Sequence, residues 1–161
     1  MNGQTLNWYN AIKLKMLLGD QAREFREVFG QECLTNISAY GYIKKKLWDM
    51  QVSLVAEEAH EFLAAADEVF ADPENADMRL ELVKELSDLV FVCYQFAAAF
   101  NIDLDKAMDL VFKSNMTKLD EHGKPIYRKD GKVLKGPNYT PPDLSSCLPF
   151  PQLNFHDTNG K

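Results

Sequence analysis

Residues 54–65, LVAEEAHEFLAA, and residues 82–92, LVKELSDLVFV, decide how the rest of this chain is read. Each stretch carries two acidic residues three apart: Glu58 and Glu61 in the first, Glu85 and Asp88 in the second. On an α-helix that spacing puts both side chains on one face, one turn apart. Leu82, Leu86 and Leu89 flank the second pair, and Leu89-Val90-Phe91-Val92 follows Asp88 directly. A carboxylate at the entrance of a stretch that is apolar all round faces other helices rather than water. A helix, a tight turn and an antiparallel return bring the two acidic faces together, so the pattern predicts four converging carboxylates.

Working outward, helical periodicity continues on both sides. The first acidic pair belongs to a helix expected from about Tyr42 to Phe70, with Leu47, Met50, Leu54, Val55, Phe62 and Val69 as its apolar positions. Pro73 disfavours helix at Asp72, so residues 71–75 form the turn. The second pair lies on a helix expected from about Asp77 to Phe100, broken by Asn101-Ile102-Asp103. Asp103 is a good N-cap for a fourth helix reaching about Leu119. Upstream, Leu6, Tyr9, Ile12, Met16 and Leu17, then Phe25, Val28 and Phe29, give one bent helix or two short ones around Gly19, with Gly30 at a C′ position. Residues 31–40 read as a connection and Gly41 as a further break.

After residue 120 the character changes, and all but one of the seven prolines lie there. Residues 126–134, IYRKDGKVL, predict a hairpin with Asp130-Gly131 at the centre of a type I′ turn. Gly136-Pro137-Asn138-Tyr139-Thr140-Pro141-Pro142 excludes helix and begins an extended arm whose Leu148, Phe150, Leu153 and Phe155 need cover, for which a neighbouring subunit is a candidate. The expectation is an all-α protein: an antiparallel bundle with a four-helix core, a small C-terminal hairpin and a Pro-rich arm. Residues 1–120 form the helical domain, and 121–161 are the hairpin and arm of that same domain.

Composition narrows the function. The chain has 161 residues, 46% hydrophobic and 26% charged, with net charge −6. Such an acidic chain lacks the surplus of Lys and Arg that nucleic-acid polymers require. Leu89–Phe100, interrupted by Gln95, is the longest apolar run and is too short to span a bilayer. No secretory signal is expected at MNGQTLNWYN. Cys33, Cys93 and Cys147 are odd in number and widely spaced, which suits free thiols in a reducing cytoplasm.

Four carboxylates close together repel, and a cation relieves that repulsion. Oxygen-only ligation suits a hard divalent ion such as Mg²⁺, which binds carboxylates, waters and substrate phosphate. Glu57 and Glu81 read as bystanders, although Glu81 shares the stripe of Glu85 and Asp88. Glu57-x-x-His60 matches one half of a di-iron helical motif, but that architecture needs the motif twice, and the next helix has no His. His60 is therefore an ordinary helix residue or a hydrogen-bonding partner of a ligand.

These blocks resemble the Glu-Glu-x-x-Glu and Glu-Leu-x-Asp-Leu blocks of the all-α nucleoside triphosphate pyrophosphohydrolases, which include MazG-type enzymes, dimeric dUTPases and phosphoribosyl-ATP pyrophosphohydrolases. The resemblance covers roughly residues 42–120. Residues 113–144, KSNMTKLDEHGKPIYRKDGKVLKGPNYTPPDL, are similar to the C-terminal region of short phage and bacterial MazG-like proteins. The chain lacks the extra helices of the dimeric dUTPases and the second block set of tandem MazG proteins. Its long first helical region and Pro-rich tail also exceed what the phosphoribosyl-ATP enzymes need.

The resemblance implies metal-dependent hydrolysis of a (d)NTP to (d)NMP and diphosphate, with a purine deoxynucleotide such as dGTP as the implied substrate. Glu58, Glu61, Glu85 and Asp88 would hold Mg²⁺, with Mn²⁺ able to substitute, and Glu61 or Glu58 would orient or deprotonate the water. Attack at either the α or the β phosphorus is compatible with these residues. Lys113, Asn115 and Lys118 would hold phosphates. Phe25, Phe29, Trp48 and Tyr94 are candidates for stacking on the base, and Tyr139 for closing over the site. Partners implied are the nucleotide and further copies of the chain, as a dimer or tetramer, in the cytoplasm (the host's, if phage-encoded). The competing reading is a nucleotide-binding or helical interaction module without turnover.

Overall fold

The computed structural model describes residues 17–34 and 45–148. Leu6, Tyr9, Ile12 and Met16, the start expected at Tyr42, and Phe150, Leu153 and Phe155 lie outside the described residues. The fold is all-α, with helices α1 (Leu18–Val28), α2 (Lys45–Ala71), α3 (Ala76–Ala99) and α4 (Leu104–Met116), and a short 3₁₀ turn at Ser145–Cys147. Two compact units divide the chain, Met1–Ile102 and Asp103–Lys161.

In the first unit α2 and α3 pack along their length and α1 lies against α3. Asn75 starts α3: its side chain accepts from the backbone N–H of Asp77 and Met78. Trp48 meets Phe96 and Phe100 at ring-centroid distances of 5.3 and 5.1 Å. Glu58 and Glu61 meet Glu85, so the numbering falls along α3 as it rises along α2, an antiparallel pair. Leu34, Leu47, Ala99 and Phe100 form the buried centre, with Phe96 and Ile102 packed on it.

Both α1 and α3 end on a left-handed residue that redirects the chain. Gly30 (φ +62°) follows α1 and Asn101 (φ +54°) follows α3. In each case the next two amides return to the last turn: Gly30 and Gln31 to the Glu27 and Arg26 carbonyls, Asn101 and Ile102 to those of Ala98 and Ala97. Gly30 thus holds its expected C′ place, and Gly19 sits in the first turn of α1, which starts at Leu18 after the extended Leu17. A tie from α1 to α3 went unseen in the sequence. Fully buried Arg26 donates to Gln31 Oε1 (3.2 Å), Gln95 Oε1 (3.4 Å) and the Glu32 carbonyl, and Gln95 Nε2 donates to the Ala22 carbonyl at 3.2 Å.

In the second unit Asp103 caps α4, accepting from the Lys106 N–H at 3.1 Å. Beyond α4 the chain returns along it. Near the C-terminal end of the helix, the Thr140 N–H donates to Thr117 Oγ1 and the Ser114 hydroxyl donates to the Thr140 carbonyl. At the N-terminal end, the Asp103 N–H donates to the Cys147 carbonyl and Lys106 Nζ to that of Ser146. Up to Leu148 the Pro-rich arm is therefore a strap on α4.

The hairpin at residues 126–134 forms, with one bridge between Tyr127 and Val133, but its turn differs from expectation. Gly131 (φ +85°) has left-handed geometry and Asp130 does not, so the turn is not type I′. The Gly131 N–H bonds the Arg128 carbonyl and the Arg128 N–H bonds that of Lys132. That pattern is a three-residue loop ending on a bulge glycine. Asp130 causes the shift: its carboxylate accepts from the Arg128 guanidinium and the Lys132 N–H, which holds it as a side-chain acceptor inside the loop.

Candidate active site

The α2/α3 pairing sets the site. Glu58 and Glu61 are one turn apart on α2, and Glu85 faces them from α3. Carboxylate oxygens of Glu58, Glu61 and Glu85 lie within 4.8 Å of one another. Glu61 is exposed, Glu58 half-buried and Glu85 buried. Asp88, one turn beyond Glu85, is not a member of that close triad. It joins through Lys84, whose Nζ lies 2.6 Å from Glu85 Oε1, 3.3 Å from Asp88 Oδ2 and 3.8 Å from Glu81 Oε1.

These neighbours bias the protons in opposite directions. Partial burial, then the carboxylates of Glu61, Asp88 and Glu85, push the Glu58 carboxyl above its ordinary range, with Lys84 working against them. The Lys84 hydrogen bond holds the Glu85 carboxyl below its ordinary range, against its burial. Glu85 and Asp88 in turn keep Lys84 firmly protonated.

The triad fits a hard cation. Glu85 Oε2 is buried and has no hydrogen-bond partner among the described residues. Three anionic oxygens and no nitrogen or sulfur favour Mg²⁺ or Mn²⁺ over softer metals. His60 is exposed and contributes nothing to the triad. Cys33, Cys93 and Cys147 are free thiols, as expected. Among the described residues, no helix is long and apolar enough to cross a membrane.

The candidates for base contact separate by packing. Tyr94 is buried on α3, and Phe25 sits in an aromatic cluster with Phe29 and, edge-on, Phe91. Trp48 is packed against Phe96 and Phe100, yet 40% of it stays exposed. The phosphate candidates belong to the second unit. Lys113 is paired with Asp109 at 2.7 Å on α4, Asn115 is exposed on the same helix, and Lys118 follows its C-cap, Thr117. Tyr139 lies under the Lys135 ammonium, 4.3 Å from the ring centroid, and Ser114 followed by Lys135 lowers its phenol's tendency to hold a proton.

Two residues of α2 and α3 escaped the sequence reading, Lys84 beside the carboxylates and Gln51 two turns before Glu58. Lys84 was overlooked because a Lys beside Glu on an amphipathic helix is the commonest solvated pattern. Gln51 is 1% exposed, and neither polar atom of its amide has a partner among the described residues. Its spacing from Glu58, two helical turns, was the available signal.

No curated protein matches the chain. A family model does, that of phosphoribosyl-ATP pyrophosphohydrolase, over residues 22–115, more than half the sequence and all of α2 and α3. With two acidic helices paired as the sequence blocks required, the chain belongs to the phosphoribosyl-ATP pyrophosphohydrolase family, within the MazG-like nucleoside triphosphate pyrophosphohydrolases.

Proposed function

We propose that this protein hydrolyses the α–β phosphoanhydride of a nucleoside triphosphate, releasing the monophosphate and diphosphate, with a purine deoxynucleotide such as dGTP as substrate. The observation that carries the reading is the Glu58–Glu61–Glu85 triad with its unpartnered buried oxygen, in a chain of this family. Glu58, Glu61 and Glu85, with Asp88 beside them, would hold Mg²⁺ or Mn²⁺. A bound divalent ion there neutralises phosphate charge and lowers the pKa of water.

The residues divide the remaining work. Glu58 would accept a proton from the attacking water. Exposed Glu61 can orient that water from the solvent side. Glu85, which Lys84 holds ionised in the metal-free site, would be the buried anchor for the ion. Trp48 offers its exposed portion for stacking on a base. Lys113, Asn115 and Lys118 supply cationic and amide donors for phosphate oxygens, and Tyr139 would close over the nucleotide.

Apolar side chains such as Phe70 (90% exposed) and Leu80 (69%) support assembly with further copies of the chain, as a dimer or tetramer. The three free thiols support a cytoplasmic setting. The test is diphosphate release from eight NTPs and dNTPs, plus phosphoribosyl-ATP, with Mg²⁺. Glu61→Gln and Asp88→Asn should abolish release while far-UV circular dichroism stays helical. Full activity in both variants would remove the carboxylates from the mechanism.

A further inference from the structure

Resting on the metal-site reading above, we propose that the Lys84 ammonium is the resident counter-cation of this cluster, and that a divalent ion enters by displacing it from Glu85. Glu85 belongs to two sets at once. It completes the triad with Glu58 and Glu61, and through Oε1 it accepts from Lys84 Nζ at 2.6 Å. The same ammonium reaches Asp88 and Glu81. One charge therefore serves three carboxylates of α3, two of which are candidate ligands.

Without any cation the triad would hold like charges at close range. Lys84 offsets that repulsion but suits the task poorly. It is monovalent, and its ammonium on Oε1 stands across the same carboxylate from the unpartnered Oε2, where its positive charge repels an incoming dication. It is also half out in water, with 56% of its side chain exposed, and its four-carbon stem can swing clear without disturbing α3. The fold thus carries a cation that stabilises the metal-free site and competes with the ion. Metal affinity is set below what the carboxylates alone would give. The ammonium released on displacement becomes available to an anionic ligand beside the metal, so phosphate binding and metal binding support each other.

The experiment titrates Mn²⁺ alone, without nucleotide, into the full-length protein by calorimetry, with melting followed in parallel. Lys84→Met keeps a good helix former and removes the competitor, so Mn²⁺ should bind about tenfold more tightly, the scale of one lost charge-assisted hydrogen bond. Its melting temperature without metal should fall, and the rise on adding Mn²⁺ should exceed that of wild type. Lys84→Arg retains a cation and should stay within a few-fold of wild type. Wild-type binding that is unchanged or weakened in Lys84→Met would overturn the displacement proposal alone. Silence from both wild type and Lys84→Met would overturn the metal site as well. Tighter binding in the Met variant only, lost again in Lys84→Met combined with Glu85→Gln, is the result expected if both hold.

Discussion

Two glutamines in the first unit should respond to the same substitution with opposite signs. Gln51 and Gln95 are both buried, at 1% and 4% exposure. The Gln51 amide bonds to nothing among the described residues, whereas Gln95 accepts from Arg26 and donates to the Ala22 carbonyl. Two desolvated polar atoms without partners each cost about 1–3 kcal/mol, so Gln51→Leu, similar in size, should stabilise by roughly 2 kcal/mol. In a chain of 161 residues each kcal/mol moves the melting temperature by roughly 2–4 °C, so a rise of roughly 4–8 °C is expected. Gln95→Leu takes a partner from a buried guanidinium and from a buried carbonyl, and should destabilise by about 3 kcal/mol.

Urea unfolding followed by circular dichroism measures both variants. An unchanged slope with a shifted midpoint marks a true change in stability. If Gln51→Leu is neutral or destabilising, the Gln51 amide has a partner in solution, and the reasoning from its isolation fails. If Gln95→Leu is harmless, Arg26 does not depend on it, and the proposed tie between α1 and α3 is wrong.

Other outcomes follow from single contacts. Because the Glu58 carboxyl is raised above its ordinary 4.5, the folded state holds a proton that the unfolded chain has lost just above that pH. Metal-free stability should therefore fall as pH climbs from 4.5 through the raised value, and Glu58→Gln should flatten that part of a melting-versus-pH curve. Glu85 is shifted down, so its contribution is present above the ordinary value and disappears at lower pH, as the medium is acidified through its depressed pKa. At Gly136 an added Cβ would strike the Leu119 carbonyl, so Gly136→Ala should destabilise by about 1–3 kcal/mol. Faster hydrogen exchange at the Gly136 and Thr140 amides would show it. Asp103→Ala removes the cap of α4 and should cost about 1 kcal/mol, measured by chemical denaturation.

Much of this was legible before any coordinates. Helical periodicity marked α2, α3 and α4, because apolar residues recur along each at helical spacing. Gly30, Asp103 and the Pro73 turn were readable because local backbone chemistry decides them. Legibility ended where side chains meet, within a loop as well as between elements. Asp130-Gly131 predicts a type I′ turn, yet the loop holds three residues and ends on Gly131, with Arg128 paired to Asp130 inside it. Nothing in the sequence around Arg26 marks it as buried; its burial depends on Gln95 across the α1/α3 interface and on Gln31 and Glu32 after the helix.

The sequence alone determined that two acidic pairs lie on consecutive helices and that a short turn returns one against the other, because spacing along a helix is a property of the chain itself. Tertiary structure decided which carboxylates share a point. It drew in Glu58, Glu61 and Glu85, set Asp88 beside Lys84, and left one buried Glu85 oxygen without a partner among the described residues. Those outcomes depend on the rotation and register of one helix against another, and sub-turn shifts in either leave the sequence pattern unchanged.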